Sequence, residues 1–225
     1  MTHKVALRDS IVQRVLERRG RLHLFDRLDP RRTALLVIDM QNAFVAPGAP
    51  VEVPLARGIV PAINRLAAEL RRRGAAVIWV LHENLKDGKN WPGFFDVFVK
   101  PENRAAAAQS LAAGSEMQEL WPALETSEKD LRLTKNRYSA LIPGSSNLQT
   151  ILKERGIDGL LIAGTKTNVC CECTARDAMM LDYKVVMLSD CTAALSDEEH
   201  LATLENVIQQ FGDVLTADEA LALLE

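Results

Sequence analysis

The feature that most constrains the fold is a repeated exchange between short, wholly apolar runs and longer segments with helical spacing. Ala34, Leu35, Leu36, Val37 and Ile38 follow Thr33 without a polar break and end on Asp39. A strand covered on both faces has this character. Ile59, Ile63, Leu66, Ala67 and Leu70 then recur on one helical face, and Gly74 closes that segment. A second buried strand is expected over 75–81, and a short alternating one leads to Lys135. The rhythm continues with a helix ending near Gly156, a strand over 159–163, a helix over 168–181 and a strand over 184–189. A helix over 198–210, a short run over 213–216 and a last helix reaching Leu224 complete it. Strands alternating with helices require parallel crossovers, so helices cover both faces of one sheet. The predicted fold is α/β: a doubly wound, mostly parallel six-stranded sheet.

Two regions depart from this rhythm. Residues 1–28 read as an extra amphipathic helix, with Leu7, Ile11 and Val15 in one stripe. Such an arm either caps the domain or reaches a neighbouring subunit, and residues 29–225 form the single remaining domain. Residues 83–127 hold Gly88, Trp91-Pro92-Gly93, the aromatic pair Phe94-Phe95 and an alanine-rich stretch. A long, partly irregular excursion of this kind is read as a lid or binding loop, the alternative being a plain surface insertion.

Composition removes several classes of function. The 27 basic and 30 acidic side chains leave a net charge of -3, so nothing draws the chain to nucleic acid. The short runs Arg18-Arg19, Arg31-Arg32 and Arg71-Arg72-Arg73 mix with acids and read as solvated faces. No segment approaches the ~20 apolar residues of a membrane span, and no secretory leader is visible. Three of the four cysteines (Cys170, Cys171 and Cys173) crowd into four positions, unlike an extracellular disulfide framework. The expected setting is the reducing cytoplasm. Neither a Gly-x-Gly-x-x-Gly nor a Gly-x-x-x-x-Gly-Lys-Ser/Thr loop occurs, which removes most support for nucleotide cofactors.

Three segments can carry chemistry. Asp39 stands at the carboxyl end of a buried strand, where ligands of open α/β sheets collect; it is either a strand-end cap or a functional group. The segment Gly164-Thr-Lys-Thr-Asn-Val-Cys170 runs from a strand through a turn into a helix. The amides and partial positive charge of a helix start stabilise a thiolate and an oxyanion alike. Cys171 shares helical offsets with Ala175, Ala178 and Met179, so it reads as core. Cys173 is a neighbour or a spectator. Lys135 is the third candidate: beside a cysteine and an aspartate, its cation lowers the thiol pKa and pairs with the carboxylate, which can then carry the thiol proton. Zinc bound by Cys-Cys-x-Cys lacks a second ligand pair, and His3, His23, His82 and His200 are scattered. A redox link between Cys170 and Cys173 has poor geometry.

Together these segments resemble the isochorismatase-like cysteine hydrolases. Asp39 in Val-Ile-Asp-Met-Gln-Asn-Ala-Phe, Lys135 in Lys-x-Arg-Tyr-Ser-Ala and Cys170 in Gly-x-x-Thr-x-x-Cys occur in the family's order, over roughly Thr33 to Asp218. The resemblance implies a Rossmann-like hydrolase with a covalent thioester mechanism. Asp39 would take the thiol proton, Cys170 would attack an amide or ureido carbonyl, and Lys135 would hold Asp39. It also implies a non-proline cis peptide at Thr165-Lys166, with the amides of Lys166 and Cys170 as oxyanion donors. Phe44 and Tyr138 match pocket positions, and His82 and Trp91 are further candidates for substrate contact. Nicotinamidases carry a histidine-rich metal segment after the second strand, whereas this chain has only His82 in His82–Trp91. Vinyl-ether hydrolases of the family generally lack the cysteine. The segments look closest to the ureidoacrylate and carbamoyl amidohydrolase branch. The resemblance therefore implies a small amide or ureido substrate, no cofactor, no metal, and, with the arm, a homodimer or homotetramer. A catalytically silent family member acting as a binding or assembly protein is the rival reading.

Overall fold

The computed structural model describes residues 2–224. Its strands are β1 (Thr33–Ile38), β2 (Ala76–His82), β3 (Leu131–Lys135), β4 (Gly159–Thr165), β5 (Lys184–Ala193) and β6 (Asp213–Leu215). They form one six-stranded sheet in the order β3-β2-β1-β4-β5-β6, and every pairing is parallel. The helices are α1 (Asp9–Arg19), α2 (Asn42–Val45), α3 (Ala56–Arg72), α4 (Pro92–Phe95), α5 (Arg104–Ser110), α6 (Leu148–Glu154), α7 (Glu172–Met180), α8 (Asp197–Asn206) and α9 (Ala217–Ala222). The expected doubly wound sheet is present.

The continuous apolar run of β1 is explained by the two layers it serves. Leu35 and Val37 point into a core shared with Ile59, Ile63, Leu66 and Leu70 of α3 and with Ala217 and Ala220 of α9. Ala34, Leu36 and Ile38 point into the opposite core, with Leu148 and Leu152 of α6, Ala175 and Ala178 of α7, and Leu204 of α8. Successive strand residues alternate faces, so a strand between two helical layers must be apolar at every position.

The N-terminal helix is shorter than expected. It spans Asp9–Arg19 and ends at Gly20, whose φ of 74° lets its N–H close the last turn on the Leu16 carbonyl. Leu7 precedes the helix, while Ile11 and Val15 are buried in the same core as α6 and α7. Arg8 pairs with Glu205, and Arg18 donates to the Gln209 carbonyl at 3.0 Å. The arm therefore caps its own domain. The expected helices over 168–181 and 198–210 are each divided, with a wider π-type turn at Thr167–Cys171 and another at Val207–Phe211.

Residues 83–127 lie over the carboxyl end of the sheet. They are tied down there by an antiparallel bridge between Gln41 and Leu120, by Trp121 N–H on the Met40 carbonyl at 2.9 Å, and by Asn42 N–H on the Glu119 carbonyl at 2.9 Å. Leu111 and Leu124 within this segment enter the α3-side core.

Candidate active site

The chain adds β2 and β3 on one side of β1, then crosses to add β4, β5 and β6 on the other. The carboxyl ends of β1 and β4 thus flank the point where strand order reverses, the usual ligand site of an open α/β sheet. Asp39 follows β1 with φ of 52°, a left-handed conformation that aspartate tolerates better than most residues. Its backbone is fixed from both sides: its N–H donates to Val80 at 2.8 Å, and the Thr165 hydroxyl donates to its carbonyl at 2.9 Å. Gly164 makes this approach possible. Its φ is 110°, and a Cβ there would lie 2.0 Å from the Ile38 carbonyl oxygen.

Lys135 ends β3 with its side chain fully buried. The alternation of that strand, with Leu133 and Lys135 inward and Arg132 and Thr134 exposed, sends it beneath the carboxyl ends. Its ammonium donates to Asp39 Oδ2 at 2.8 Å, to the Arg137 carbonyl at 3.1 Å and to His82 Nδ1 at 3.3 Å. All three donors of the lysine are thus engaged. Its neighbours Asp39 and Cys170 hold its pKa up even against burial. Asp39 Oδ1, by contrast, is buried and has no hydrogen-bond partner.

His82 ends β2 as a neutral ring. Since Nδ1 accepts from Lys135, Nε2 carries the proton and donates to Asn84 Oδ1 at 3.0 Å. Burial, then the Lys135 charge, lower its pKa to about 4. Gln41 clamps the same strand end, accepting from His82 N–H at 2.7 Å and donating to the His82 carbonyl at 2.9 Å. His200, bonded to the Thr167 hydroxyl at 2.9 Å, is likewise lowered to about 4 by burial, then by His3. A depressed histidine pKa stabilises the fold above the unfolded value near 6.5 and loses that contribution as pH falls towards 4. Each ring should therefore cost about 2 kcal/mol of stability between pH 7.5 and 5. Urea midpoints measured across this range should fall less steeply for His82→Gln than for the parent; parallel slopes would contradict the assignment.

Cys170 lies in the turn Thr167–Cys171 ahead of α7, buried but lining a cavity of about 510 Å³. Burial, then the Asp39 charge, push its thiol up, and Lys135 opposes them without prevailing. The effect of Lys135 has the expected sign, but it is outweighed, so the resting sulfur is a thiol. The peptide bond between Thr165 and Lys166 is cis. Cys171 is fully buried and packs with Ala175 and Ala178, as its spacing suggested. Met179 does not join them: it is 43% exposed, because eight helical residues drift about 80° around the axis. All four cysteines are free, and Cys173 is half-buried. Among the described residues no group of three or more His, Cys, Asp or Glu side chains could hold a metal ion.

Phe44, His82, Tyr138 and Lys166 line the cavity beside Cys170. Trp91 is not among these lining residues. Its ring stands behind the wall, 4.9 Å from Phe94 and 4.8 Å from Tyr138, with the Arg137 guanidinium 5.2 Å from its centre. It packs against two cavity side chains. The sequence reading missed Asn84, Phe94, Asn103, Ser110 and Leu111 as wall residues. The Phe94-Phe95 pair was visible as an aromatic cluster, but nothing fixed which ring faces inward; Phe95 is the buried one.

Comparison with known proteins identifies the family. The isochorismatase domain matches residues 33–219. A probable inactive nicotinamidase from Arabidopsis thaliana is 36% identical over 77% of this chain and 87% of its own length. A ureidoacrylate amidohydrolase, RutB, from Agrobacterium fabrum is 32% identical over 85% of this chain and 90% of its own. Among solved structures, a cysteine hydrolase from Pseudomonas syringae pv. phaseolicola superposes with a TM-score of 0.82 at 29% identity, covering 90% of this chain and 96% of that one. By its domain match, its relatives and its fold, the chain belongs to the isochorismatase family of hydrolases.

Proposed function

We propose that the protein is a metal-independent cysteine amidohydrolase that cleaves a linear C–N bond in a small ureido, carbamoyl or carboxamide compound. The observation that carries this reading is the unpartnered Asp39 Oδ1 in the electrostatic neighbourhood of the Cys170 thiol, with Oδ2 held by Lys135. A neutral, buried thiol is a weak nucleophile until its proton is accepted at the moment of attack. Asp39 takes that proton as Sγ bonds to the carbonyl carbon. The backbone amides of Lys166 and Cys170 stabilise the oxyanion. Collapse breaks the C–N bond, Asp39 returns the proton to the departing nitrogen, and ammonia or an amine leaves a thioester on Cys170. Water then attacks the thioester, giving a proton to Asp39 that passes back to the sulfur as the acid departs. Lys135 holds the carboxyl group in place through both halves.

Hydrolase relatives that include a ureidoacrylate amidohydrolase support this class. The rival reading, a silent binding protein, gains nothing from the geometry, because such a protein has no use for a buried Asp–Lys pair beside a cavity cysteine. Ammonia release from biuret, ureidoacrylate, N-carbamoyl amino acids, maleamate and nicotinamide tests the proposal. Release from a ureido compound is expected; silence across the set together with a Cys170 inert to alkylation would overturn it. Incubation with EDTA should leave turnover within about twofold of the untreated rate, since no step draws on a Lewis acid. Inhibition reversed by added zinc would contradict the metal-free mechanism.

A further inference from the structure

The charges around the cavity do not cancel. Asp39 and Lys135 neutralise each other at 2.8 Å, the Cys170 sulfur is a thiol, and His82 is neutral at physiological pH. Tyr138 keeps its phenolic proton, since burial raises its pKa. No carboxylate lines the cavity, whose remaining walls are apolar side chains such as Phe44, Val51 and Leu111 with the neutral polar groups of Asn84, Asn103 and Ser110. Lys166 is the exception. It is half-buried and lines the cavity, and its side chain makes no hydrogen bond or ion pair among the described residues. Two nearby arginines are committed elsewhere: Arg104 pairs with Asp96, and Arg137 lies over Trp91.

A ligand entering a largely apolar cavity strips water from an ammonium in its wall. Without a counter-charge that loss is uncompensated; with a carboxylate it becomes a charge-assisted hydrogen bond. We propose that the Lys166 side chain selects substrates carrying a carboxylate close to the scissile carbonyl. The class comprises N-carbamoyl amino acids, ureido acids and monoamides of dicarboxylic acids, an assignment that rests on the amidohydrolase reading above. One residue then reads two groups of the ligand. Its backbone N–H lies where the oxyanion is held, and its four-carbon stem carries the ammonium on to the carboxylate. A neutral amide of the same shape leaves that ammonium unpaired.

The test does not involve amide cleavage, so it can fail or succeed independently of the proposed reaction. Rates of Cys170 alkylation by iodoacetate and by iodoacetamide are measured for the parent protein and for Lys166→Met, with the modified residue located by peptide mass. The iodoacetate-to-iodoacetamide ratio is expected to be about tenfold higher in the parent, a difference of about 1.4 kcal/mol. Ratios within twofold of each other would overturn the inference. Thermal shift by malonate supplies a second reading that needs no reaction at sulfur: stabilisation of the parent well beyond that of Lys166→Met is expected, and equal shifts in both proteins would overturn the inference even where the thiol is inert to both reagents.

Discussion

Cys170→Ser is expected to abolish turnover, by a factor of about 10⁴ or more, while leaving urea midpoint and secondary structure within the range of an ordinary conservative change. The reason lies in the proton inventory of the site. A serine hydroxyl is far less acidic than a thiol, and Asp39 offers one carboxylate oxygen as acceptor, with its other held by Lys135. The pair suits a sulfur whose proton must be removed at the moment of attack; it lacks the basicity to do the same for an alcohol. Serine is smaller and polar, but Cys170 borders the cavity, where its hydroxyl can be solvated. Substantial activity in the serine variant would remove Cys170 from the nucleophile's role.

Asp39→Asn carries the second large effect. Asparagine keeps the size and can still accept from Lys135 through its amide oxygen, but it cannot take a proton from the thiol. A loss of about 10²–10⁴ in kcat is expected, the usual share of a positioned general base. The change also removes the partner charge of a fully buried ammonium. Breaking a buried pair in this way costs about 3–5 kcal/mol, so a lower urea midpoint should accompany the loss of rate. The two effects are separable, because kcat is measured on protein that is still folded. A folded Asp39→Asn protein with near-normal kcat would contradict the assignment of the base.

How much of this was legible in the sequence can be traced residue by residue. β1, β2 and β4 were visible because a strand packed on both faces is apolar along its length, and their runs over 34–38, 76–81 and 159–164 have no polar side chain. Lys135 was also within reach: the alternation of Leu131–Lys135 puts positions 133 and 135 on one face, and Leu133 fixes that face as the buried one. The cis peptide at Thr165–Lys166 could be placed from the resemblance alone. The length of the N-terminal helix is readable in principle from Arg18-Arg19-Gly20, a basic last turn followed by a C-cap glycine, although the expected helix extended over residues 1–28. The cavity wall was not readable. Asn84, Phe94, Asn103 and Leu111 come from an irregular segment whose far end, at residues 119–121, is anchored by Met40, Gln41 and Asn42, distant in the chain, and no local period records those contacts. The placement of Trp91 was hidden for the same reason: it depends on packing with Phe94 and Tyr138. The engagement of all three lysine donors, which makes His82 a neutral acceptor, likewise exists only once β2 and β3 lie side by side.

The central claim is that chemistry passes through a covalent bond to Cys170, and mass spectrometry of the acid-quenched enzyme during turnover tests it most directly. With a hydrolysed ureido or amide substrate, the peptide spanning Thr167–Cys173 should gain the mass of the acyl or carbamoyl group, lose it when substrate is exhausted, and gain nothing in Cys170→Ser. Turnover that proceeds with no adduct at any quench time, or an adduct that persists in Cys170→Ser, would contradict the account.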